Sequence, residues 1–486
     1  MSRVLENLEP KPLWNIFEDI CNIPHPSKRE AKIIEYVKNF GEKLGLETIV
    51  DHVGNVIIRK PATLGMEDRQ GIILQGHLDM VPQKNNDTVH DFEKDPIIPI
   101  IEGEWVKANG TTLGADNGIG AAAALAVLQD NTLQHGPIEV LLTIDEETGM
   151  TGAFELKGGL LNGSILINLD SEDEGELYIG CAGGIDTFAT LKYKEKSVPE
   201  DYTAYKVEVK GLKGGHSGLD INLGRGNANK ILNRVMWTAN REMDMELSKI
   251  EGGSLRNAIP REASAIVTIP AKNAQAFEEF VVNMEATIKK ELGNVDPDLS
   301  LKATKTNTPE FIIDKKTTKK LLGVVYACPN GSLRMISDMP EVVETSTNLA
   351  IIKSAGGKIE IASLQRSSVD SAKEDLANMM RATFKLGGFK VKQSGSYPGW
   401  KPNVNSPILK AMKEVYHNRF GKIPQQKVIH AGLECGILGG NYPGLDMISF
   451  GPTIRNPHSP DEMVKIDTVG LFWEYLVETL KNAPKK

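Results

Sequence analysis

The sequence predicts an α/β fold with a mainly parallel sheet, and three stretches of the first half carry that prediction. Residues 70–80, 137–150 and 164–173 each contain a short apolar run of β-forming residues, which is typical of a buried strand. Helical segments alternate with these runs along the chain. Because strands that alternate with helices usually lie parallel, we expect the three runs in one mainly parallel sheet.

A second domain is expected to interrupt this sheet domain. The chain has 486 residues, which is more than one ordinary domain. After about residue 186 the strands alternate polar and apolar faces, and four segments show amphipathic helical spacing: 227–241, 273–292, 315–326 and 369–386. The sequence therefore predicts one domain formed by 1–186 and 399–486, and an α+β domain formed by 187–398.

Composition narrows the class of partner. The formal net charge is −8, which argues against nucleic acid or an anionic membrane as the main partner. No apolar run is long enough to cross a bilayer, and the first residues lack the apolar core of an export signal. The four cysteines are far apart and form no CxxC pair. We expect free thiols in a reducing cytoplasm.

The first apolar run ends in an imidazole and a carboxylate, His77 and Asp79. At positions i and i+2 of a strand, both side chains point to the same side of the sheet. A histidine that binds a metal usually has its second ring nitrogen held by a carboxylate or a carbonyl group, and Asp79 is suitably placed for that role. The alternative is an ordinary surface hydrogen bond between the two side chains.

A glycine-rich loop, 114–118, precedes a strongly predicted helix and carries Asp116. This side chain could simply be the N-cap of the helix. The loop also fits a GxGxxA dinucleotide pattern, but no apolar strand runs directly into it, and Asp116 would repel a pyrophosphate. Nucleotide binding is therefore disfavoured.

The second and third apolar runs end in acids. Asp145, Glu146 and Glu147 follow the second run, and Asp170 follows the third. Adjacent like charges at the end of a core strand are unfavourable unless a cation neutralises them, although a solvated strand end is the alternative. Because a parallel sheet brings these strand ends to one edge, the sequence predicts a cation site there.

Three histidines lie elsewhere in glycine-rich or polar loops. His216 stands in GGHSG, which is either a displayed functional side chain or a plain strand-to-helix turn. His430 and Glu434 share the segment HAGLECG, and His458 lies in a late loop with several acids close by.

Five separated motifs occur together and in a fixed order: GHLDMVP, GADNGIG, DEETGM, NLDSED and NPHSPDE. In this combination the chain resembles the co-catalytic di-zinc metallopeptidases of the aminoacylase and glutamate-carboxypeptidase superfamily, over essentially its whole length. The resemblance implies a peptidase domain interrupted by a lid or dimerisation domain, and hence a possible homodimer. It also implies two Zn²⁺ ions, with Mn²⁺ or Co²⁺ as possible substitutes.

The resemblance assigns roles to individual side chains. It implies that Asp116 bridges two ions, followed by a cis peptide bond, and that the complete ligand set is His77, Asp116, Glu147, Asp170 and His458. Its implied catalytic residues are Asp79, which orients a ligand, Glu146 as the general base and His216 as the oxyanion donor. Its implied substrate contacts are Arg366, which would hold a terminal carboxylate, Asn257 and Glu434.

The residue types support hydrolytic metal chemistry. Imidazoles combined with carboxylates suit Zn²⁺, Mn²⁺ or Co²⁺ better than Ca²⁺, which prefers oxygen ligands alone. The implied reaction is hydrolysis of dipeptides that have a free carboxyl terminus, with histidine preferred at that end, β-alanyl-histidine included. The histidine preference comes from the resemblance alone. The alternatives are a broad dipeptidase or tripeptidase, a hydrolase of N-acyl amino acids, and an inactive metal-binding scaffold.

Overall fold

The computed structural model describes residues 3–486, which form two compact units. The first unit contains the chain up to Gly180 together with Trp400–Val428 and Leu433–Lys486. The second contains Cys181–Gly399 and the short segment Ile429–Gly432. Across residues 3–486, no helix combines the length and the apolar character needed to cross a membrane.

Twelve α-helices lie in the described residues. In chain order they are α1 Lys11–Cys21, α2 Ala31–Lys43, α3 Ala115–Gln129, α4 Glu146–Gly149, α5 Thr151–Glu155, α6 Ala228–Glu242, α7 Ala274–Leu292, α8 Lys315–Ala327, α9 Asp370–Leu386, α10 Pro407–Phe420, α11 Glu434–Asn441 and α12 Ile466–Lys481. The four amphipathic helices predicted for the second domain correspond to α6 to α9, because a continuous apolar stripe is a strong local signal.

The strands of the first half are β1 Glu47–Val50, β2 Val56–Lys60, β3 Ile72–His77, β4 Pro99–Glu102, β5 Trp105–Ala108, β6 Ile138–Thr143, β7 Ile165–Asn168, β8 Glu176–Cys181, β9 Gly183–Lys192, β10 Glu195–Lys196, β11 Tyr202–Lys210 and β12 Gly215–His216. Those that follow are β13 Glu246–Gly252, β14 Ala258–Ile259, β15 Ala263–Pro270, β16 Ser300–Lys305, β17 Ile312–Ile313, β18 Gly331–Ile336, β19 Met339–Ala355, β20 Lys358–Ser367, β21 Lys390–Tyr397, β22 Gln425–Ile429, β23 Asp446–Ser449, β24 Ile454–Arg455 and β25 Met463–Lys465.

The first unit is built on an eight-stranded sheet in the order β1-β2-β6-β3-β7-β23-β8-β22. Its central strands β6, β3, β7 and β23 are parallel, and β1, β2 and β8 pair antiparallel with their neighbours. The α/β fold is thus confirmed, and the parallel arrangement holds for the centre of a mixed sheet. The register pairs His77 with Thr143 and Gln75 with Asn168, so the carboxyl ends of β3, β6 and β7 share one edge.

Helix α3 packs against β3 and α1 in the interior of the first unit. The alanines at positions 121–124 and 126 are at most 1% exposed. Small side chains let the helix approach the sheet closely, and the strand residue Gly76 faces Asn117 with no room for a Cβ atom. The loop before α3 is thereby held against the strand ends.

The second unit contains a nine-stranded sheet, with β16-β11-β15-β13-β19-β20-β9-β21 in order and β18 paired to β19. All of its recorded pairings are antiparallel. Helices α6 to α9 supply buried residues to one core with the sheet, including Leu232, Phe277, Leu321 and Phe384. Strands and helices are therefore segregated, as the α+β prediction requires.

Candidate functional site

His77 ends strand β3 and is held by Asp79. Its Nδ1 atom is 3.0 Å from the main-chain oxygen of Asp79 and 3.4 Å from that residue's carboxylate. A carbonyl oxygen only accepts, so Nδ1 carries a hydrogen and Nε2 is the ring nitrogen that faces the carboxylates of Asp116 and Asp170. Both side chains are 2% exposed or less. The pair is therefore a buried, oriented imidazole rather than a surface hydrogen bond.

Asp116 lies between two imidazoles. Its Oδ1 atom is 3.2 Å from His77 Nε2, and its Oδ2 atom is 3.2 Å from His458 Nε2. Because both carboxylate oxygens face imidazoles, the simple N-cap role for Asp116 was wrong. The peptide bond between Asp116 and Asn117 is cis, which confirms that expectation.

Two groups of donor atoms share Asp116. In one group His77 Nε2 is 3.4 Å from Asp170 Oδ1, and in the other His458 Nε2 is 2.9 Å from Glu147 Oε2. Within each group, possible ligand atoms lie within 4.8 Å of one another. The fold thus brings together five side chains from both ends of the chain. His458 is the most exposed of them, with 51% of its side chain accessible.

Glu146 stands beside these groups at the start of α4. It forms a further group of possible ligands with His77 and Glu147. Burial, and then the charges of Glu434 and Glu147, raise the pKa of the Glu146 carboxyl to about 8, although His77 acts in the opposite direction. A carboxyl whose pKa lies near neutrality can both take up and release a proton at physiological pH.

Asp79 also supports the turn that carries Glu146 and Glu147. Its carboxylate accepts hydrogen bonds from the backbone N–H groups of both residues, at 2.9 and 3.2 Å, and from Ser27 Oγ at 2.8 Å. Burial opposes ionisation of Asp79, but the hydrogen bond and charge of His77 outweigh it and lower its pKa to about 2. Asp79 therefore orients an imidazole and two acids at once.

The electrostatics of the cluster call for a cation. Hydrogen bonds with Asp116 and Glu147 raise the pKa of His458 to about 11, and burial raises the pKa of Asp170 well above its usual range. Protons thus offset the negative charge of the buried carboxylates. Glu147 Oε1 and Asp170 Oδ1 are buried and accept no hydrogen bond. A divalent transition metal would take the place of these protons, because it binds carboxylate oxygens together with deprotonated imidazole nitrogens, so the side chains fit such an ion.

Glu434 is the first residue of α11 and lies in the first unit, which also contains the two groups of donor atoms. Its Oε2 atom accepts hydrogen bonds from Gln75 Nε2 at 2.5 Å and Thr143 Oγ1 at 2.8 Å, whereas Oε1 is buried without a hydrogen-bond partner. Burial comes first among the causes that raise the pKa of Glu434 to about 8. One carboxylate oxygen is thus fixed, and the other is available to a ligand.

In the second unit, His216 is held in a defined tautomer. Its Nδ1 atom accepts hydrogen bonds from the backbone N–H groups of Gly218 and Leu219, at 3.2 and 3.0 Å. Burial, and then the charge of Arg366, lower its pKa. A neutral imidazole that accepts at Nδ1 carries its hydrogen on Nε2, so His216 presents one N–H donor. The backbone of Gly215 has φ = 134°, a conformation that favours glycine.

Two other predicted substrate contacts lie near His216 in this unit. The backbone oxygen of Asn257 accepts from Ser217 N at 2.8 Å, and strand β14 pairs Ala258 with His216. Arg366 is 5% exposed on β20, donates from Nη1 to Tyr397 Oη at 2.9 Å, and keeps a buried Nε without a partner. The structure therefore groups these predicted residues within one unit.

Several residues that position the site had no recognisable sequence signal. Ser27, Gln75 and Thr143 act through single hydrogen bonds to Asp79 or Glu434. Asn117 joins the Asp116 loop to two strand ends, by accepting from His77 N at 3.3 Å and donating to the oxygen of Leu169 at 2.7 Å. Only the position of Asn117 next to Asp116 could have suggested its role.

Comparison with known proteins places these features in a family. A family model described as peptidase family M20/M25/M40 matches residues 73–482. The cytosol non-specific dipeptidase of Escherichia coli (strain K12) is 48% identical over 482 residues, which cover 99% of each chain.

Solved structures agree with this assignment. The crystal structure of aminoacylhistidine dipeptidase from Vibrio alginolyticus superposes with a TM-score of 0.97 at 48% identity, covering 100% of this chain and 99% of the other. A tripeptidase from Staphylococcus aureus superposes with a TM-score of 0.56 at 17% identity, covering 98% of each chain, and shows a shared fold only.

Proposed function

Because the chain belongs to peptidase family M20/M25/M40, we propose that it is a two-metal dipeptidase that hydrolyses dipeptides with a free carboxyl terminus, Xaa-His included. The observation that carries this proposal is the pair of donor groups that share Asp116 at one sheet edge. Two relatives at 48% identity are named for dipeptide hydrolysis. An inactive metal-binding scaffold would have no need for Glu146 and His216, which are not among the proposed ligands.

The proposed ligands divide between two ions. His77 and Asp170 would hold one, Glu147 and His458 would hold the other, and Asp116, which faces both groups, would serve both ions. Zn²⁺ is our first choice of metal, with Mn²⁺ or Co²⁺ as alternatives, because imidazole and carboxylate donors suit all three. When bound, such ions polarise a carbonyl group and lower the pKa of water towards neutrality.

Glu146 is the proposed general base. Its carboxylate takes the proton of the attacking water and returns it to the leaving amine. Nearby cations would bring its pKa below the value of about 8, because positive charge favours the ionised form. Asp79 holds the turn of Glu146 through a backbone N–H, so the base is positioned by the residue that also orients His77.

His216 is the proposed oxyanion donor. The tautomer inferred from its two backbone partners leaves Nε2–H to donate to the negative charge that develops on the carbonyl oxygen. A lowered pKa favours the neutral imidazole, whose Nδ1 stays an acceptor for the two backbone N–H groups while its Nε2–H remains a donor. The same histidine could act within one chain or from a partner chain, and dimerisation stays a prediction.

Substrate ends are assigned to Arg366 and Glu434. The guanidinium group of Arg366 has a planar fork that suits a terminal carboxylate, and its Nε still lacks a partner. The free Oε1 of Glu434 suits the substrate's amino group. Asn257 is a further proposed contact. Recognition of both termini would favour dipeptides over longer peptides.

The breadth of specificity separates the remaining alternatives. One relative is named a non-specific dipeptidase and another an aminoacylhistidine dipeptidase, so a histidine preference and broad tolerance are both reasonable for this chain. The E. coli relative is named as cytosolic, and we propose the same compartment here.

The deciding experiment measures kcat/KM on the zinc-loaded protein for Ala-His, β-Ala-His, Ala-Ala, amidated Ala-His and a tripeptide ending in histidine. Faster cleavage of Ala-His than of Ala-Ala supports the histidine preference, and equal rates remove it. Efficient cleavage of the amide would contradict the role of Arg366. Full activity after exhaustive chelation would contradict the metal centre.

A further inference from the structure

Glu462 is a buried carboxylate that the proposed chemistry does not use. It lies in the same loop as His458 and is 2% exposed. Its two oxygens accept hydrogen bonds from four consecutive backbone N–H groups, at distances of 2.8–3.2 Å: those of Leu113, Gly114, Ala115 and Asp116.

This backbone segment needs an acceptor from elsewhere in the chain. Gly114 has a left-handed φ of 72°, and its position before α3 provides no side-chain cap. Successive N–H groups that point the same way form a concave site for a negative charge. A carboxylate offers about four lone-pair sites, so the four donors account for all of them. Glu462 is therefore saturated and has no capacity left to bind a metal or substrate.

The four hydrogen bonds connect the two loops that meet at Asp116. Glu462 lies in the loop of His458 and accepts a hydrogen bond from the backbone N–H of Asp116 itself, at 3.2 Å. His458 and Asp116 are 342 residues apart in sequence, and their side chains are 3.2 Å apart. Each oxygen of Asp116 faces a different imidazole, so a small displacement of this residue would alter both donor groups.

We infer that Glu462 is a positioning residue of the metal centre, which fixes Asp116 and the His458 loop relative to each other. The inference rests on the proposed function, because it assumes that Asp116 and His458 are ligands. It assigns Glu462 no direct contact with substrate or metal. Both of its acceptor oxygens are required, since an amide presents a single acceptor oxygen to four donors.

The test compares Glu462→Gln with Glu139→Gln in the full-length protein. Glu139 is 5% exposed in the same unit and also accepts two backbone N–H groups, those of Asn162 and Gly163, both at 2.7 Å. It lies near the amino end of β6, about 13 Å from Thr143 at the usual strand rise, so it is remote from the donor groups. Glu139 also pairs with Arg59 Nε at 2.9 Å, so the control removes a buried acceptor of backbone N–H groups, and an ion pair with it, without touching the site.

The main measurement is the affinity for Co²⁺ of protein that chelation has freed of metal. Visible absorption reports the bound Co²⁺. We expect Glu462→Gln to weaken Co²⁺ binding by roughly 10- to 100-fold, the usual effect of losing a residue that orients metal ligands. Glu139→Gln should bind Co²⁺ as the wild type does. Melting temperatures measured with chelator present will show whether the two variants lose similar stability.

Each outcome decides the question. Wild-type Co²⁺ affinity in Glu462→Gln, or equal weakening in Glu139→Gln, would overturn the positioning role while leaving the metal centre intact. No Co²⁺ uptake by the wild type would refute the proposed metal centre, and the role of Glu462 with it. If Glu462→Gln does not fold, Glu462→Asp decides, because it keeps the charge but retracts it by one methylene. Its Co²⁺ affinity should fall by a smaller factor, and an unchanged affinity would contradict the inference.

Discussion

Replacing Glu146 by glutamine removes a proton acceptor and little else. Its backbone N–H would still donate to Asp79, at 2.9 Å in the native protein, so the turn should persist. Because the pKa of Glu146 is raised to about 8, the metal-free protein carries this side chain mostly in its protonated form at pH 7. Glutamine resembles that form in shape and charge. We therefore expect the stability of the metal-free protein to change by less than about 1 kcal/mol.

The effect on catalysis should be far larger. A positioned general base contributes about 10²- to 10⁴-fold to the rate. Since a tenfold change in rate corresponds to about 1.36 kcal/mol, the barrier should rise by about 2.7–5.4 kcal/mol. The loss should fall on kcat, with KM nearly constant, because Glu146 acts on the reacting water rather than on a substrate terminus. Zinc content should stay at the wild-type value.

The matched variant is Glu147→Gln. Glu147 Oε2 lies 2.9 Å from His458 Nε2, and Oε1 is buried without a partner, so this side chain is a proposed ligand. Its replacement should lower the metal content, measured by atomic emission, from about two ions per chain towards one. The reasoning would be refuted if Glu146→Gln lost metal while Glu147→Gln kept it and lost only kcat. That result would mean that base and ligand had been exchanged.

The remaining predictions concern other groups. Exhaustive chelation should abolish activity, and Zn²⁺, Mn²⁺ or Co²⁺ should restore it; activity that survives chelation would contradict the metal assignment. His216→Ala should lower kcat about 10- to 1000-fold with unchanged metal content, as loss of an oxyanion donor does. Mixing this variant with Glu146→Gln tests whether His216 acts on the site of a partner chain, since activity is restored only if it does. Arg366→Ala should raise KM for Ala-His and leave the slow cleavage of its amide unchanged; an equal effect on both substrates would count against carboxylate binding. Burial, and then the charge of Arg366, lower the pKa of His430 from 6.5 to about 3. The neutral form of His430 therefore stabilises the fold above pH 6.5. As the pH drops from 6.5 towards 3, that stabilisation falls by about 1.4 kcal/mol per pH unit. His430→Gln should therefore reduce the loss of melting temperature between pH 7 and 5, whereas replacement of the exposed His417 should not.

The sequence was sufficient to identify the helices, the strand ends and the family. Apolar periodicity is a local property, so the segments 273–292 and 369–386 were recognisable as helices that became α7 and α9. The strand ends at His77, Glu147 and Asp170 were recognisable because parallel strands bring their carboxyl ends to one edge. The order of the motifs indicated a metallopeptidase, and comparison with known proteins confirmed that resemblance.

Tertiary structure decided which alternative applied at each ambiguous residue. Asp116 had two reasonable roles in the sequence, and only its position between His77 and His458 excludes the simple helix cap. The neutral tautomer of His216 depends on two backbone N–H groups whose direction follows from the fold of one glycine-rich loop. Sequence spacing carries no information about such directions.

The supporting contacts are the part that sequence alone could not provide. Glu462 meets the Asp116 loop across 346 positions of the chain, and Glu434 meets Gln75 across 359. No periodicity or motif relates residues so far apart, because their contact depends on how the sheet and loops pack. Residue types and local order therefore determined the chemistry available to this protein, and packing determined which carboxylates hold the ligands in position.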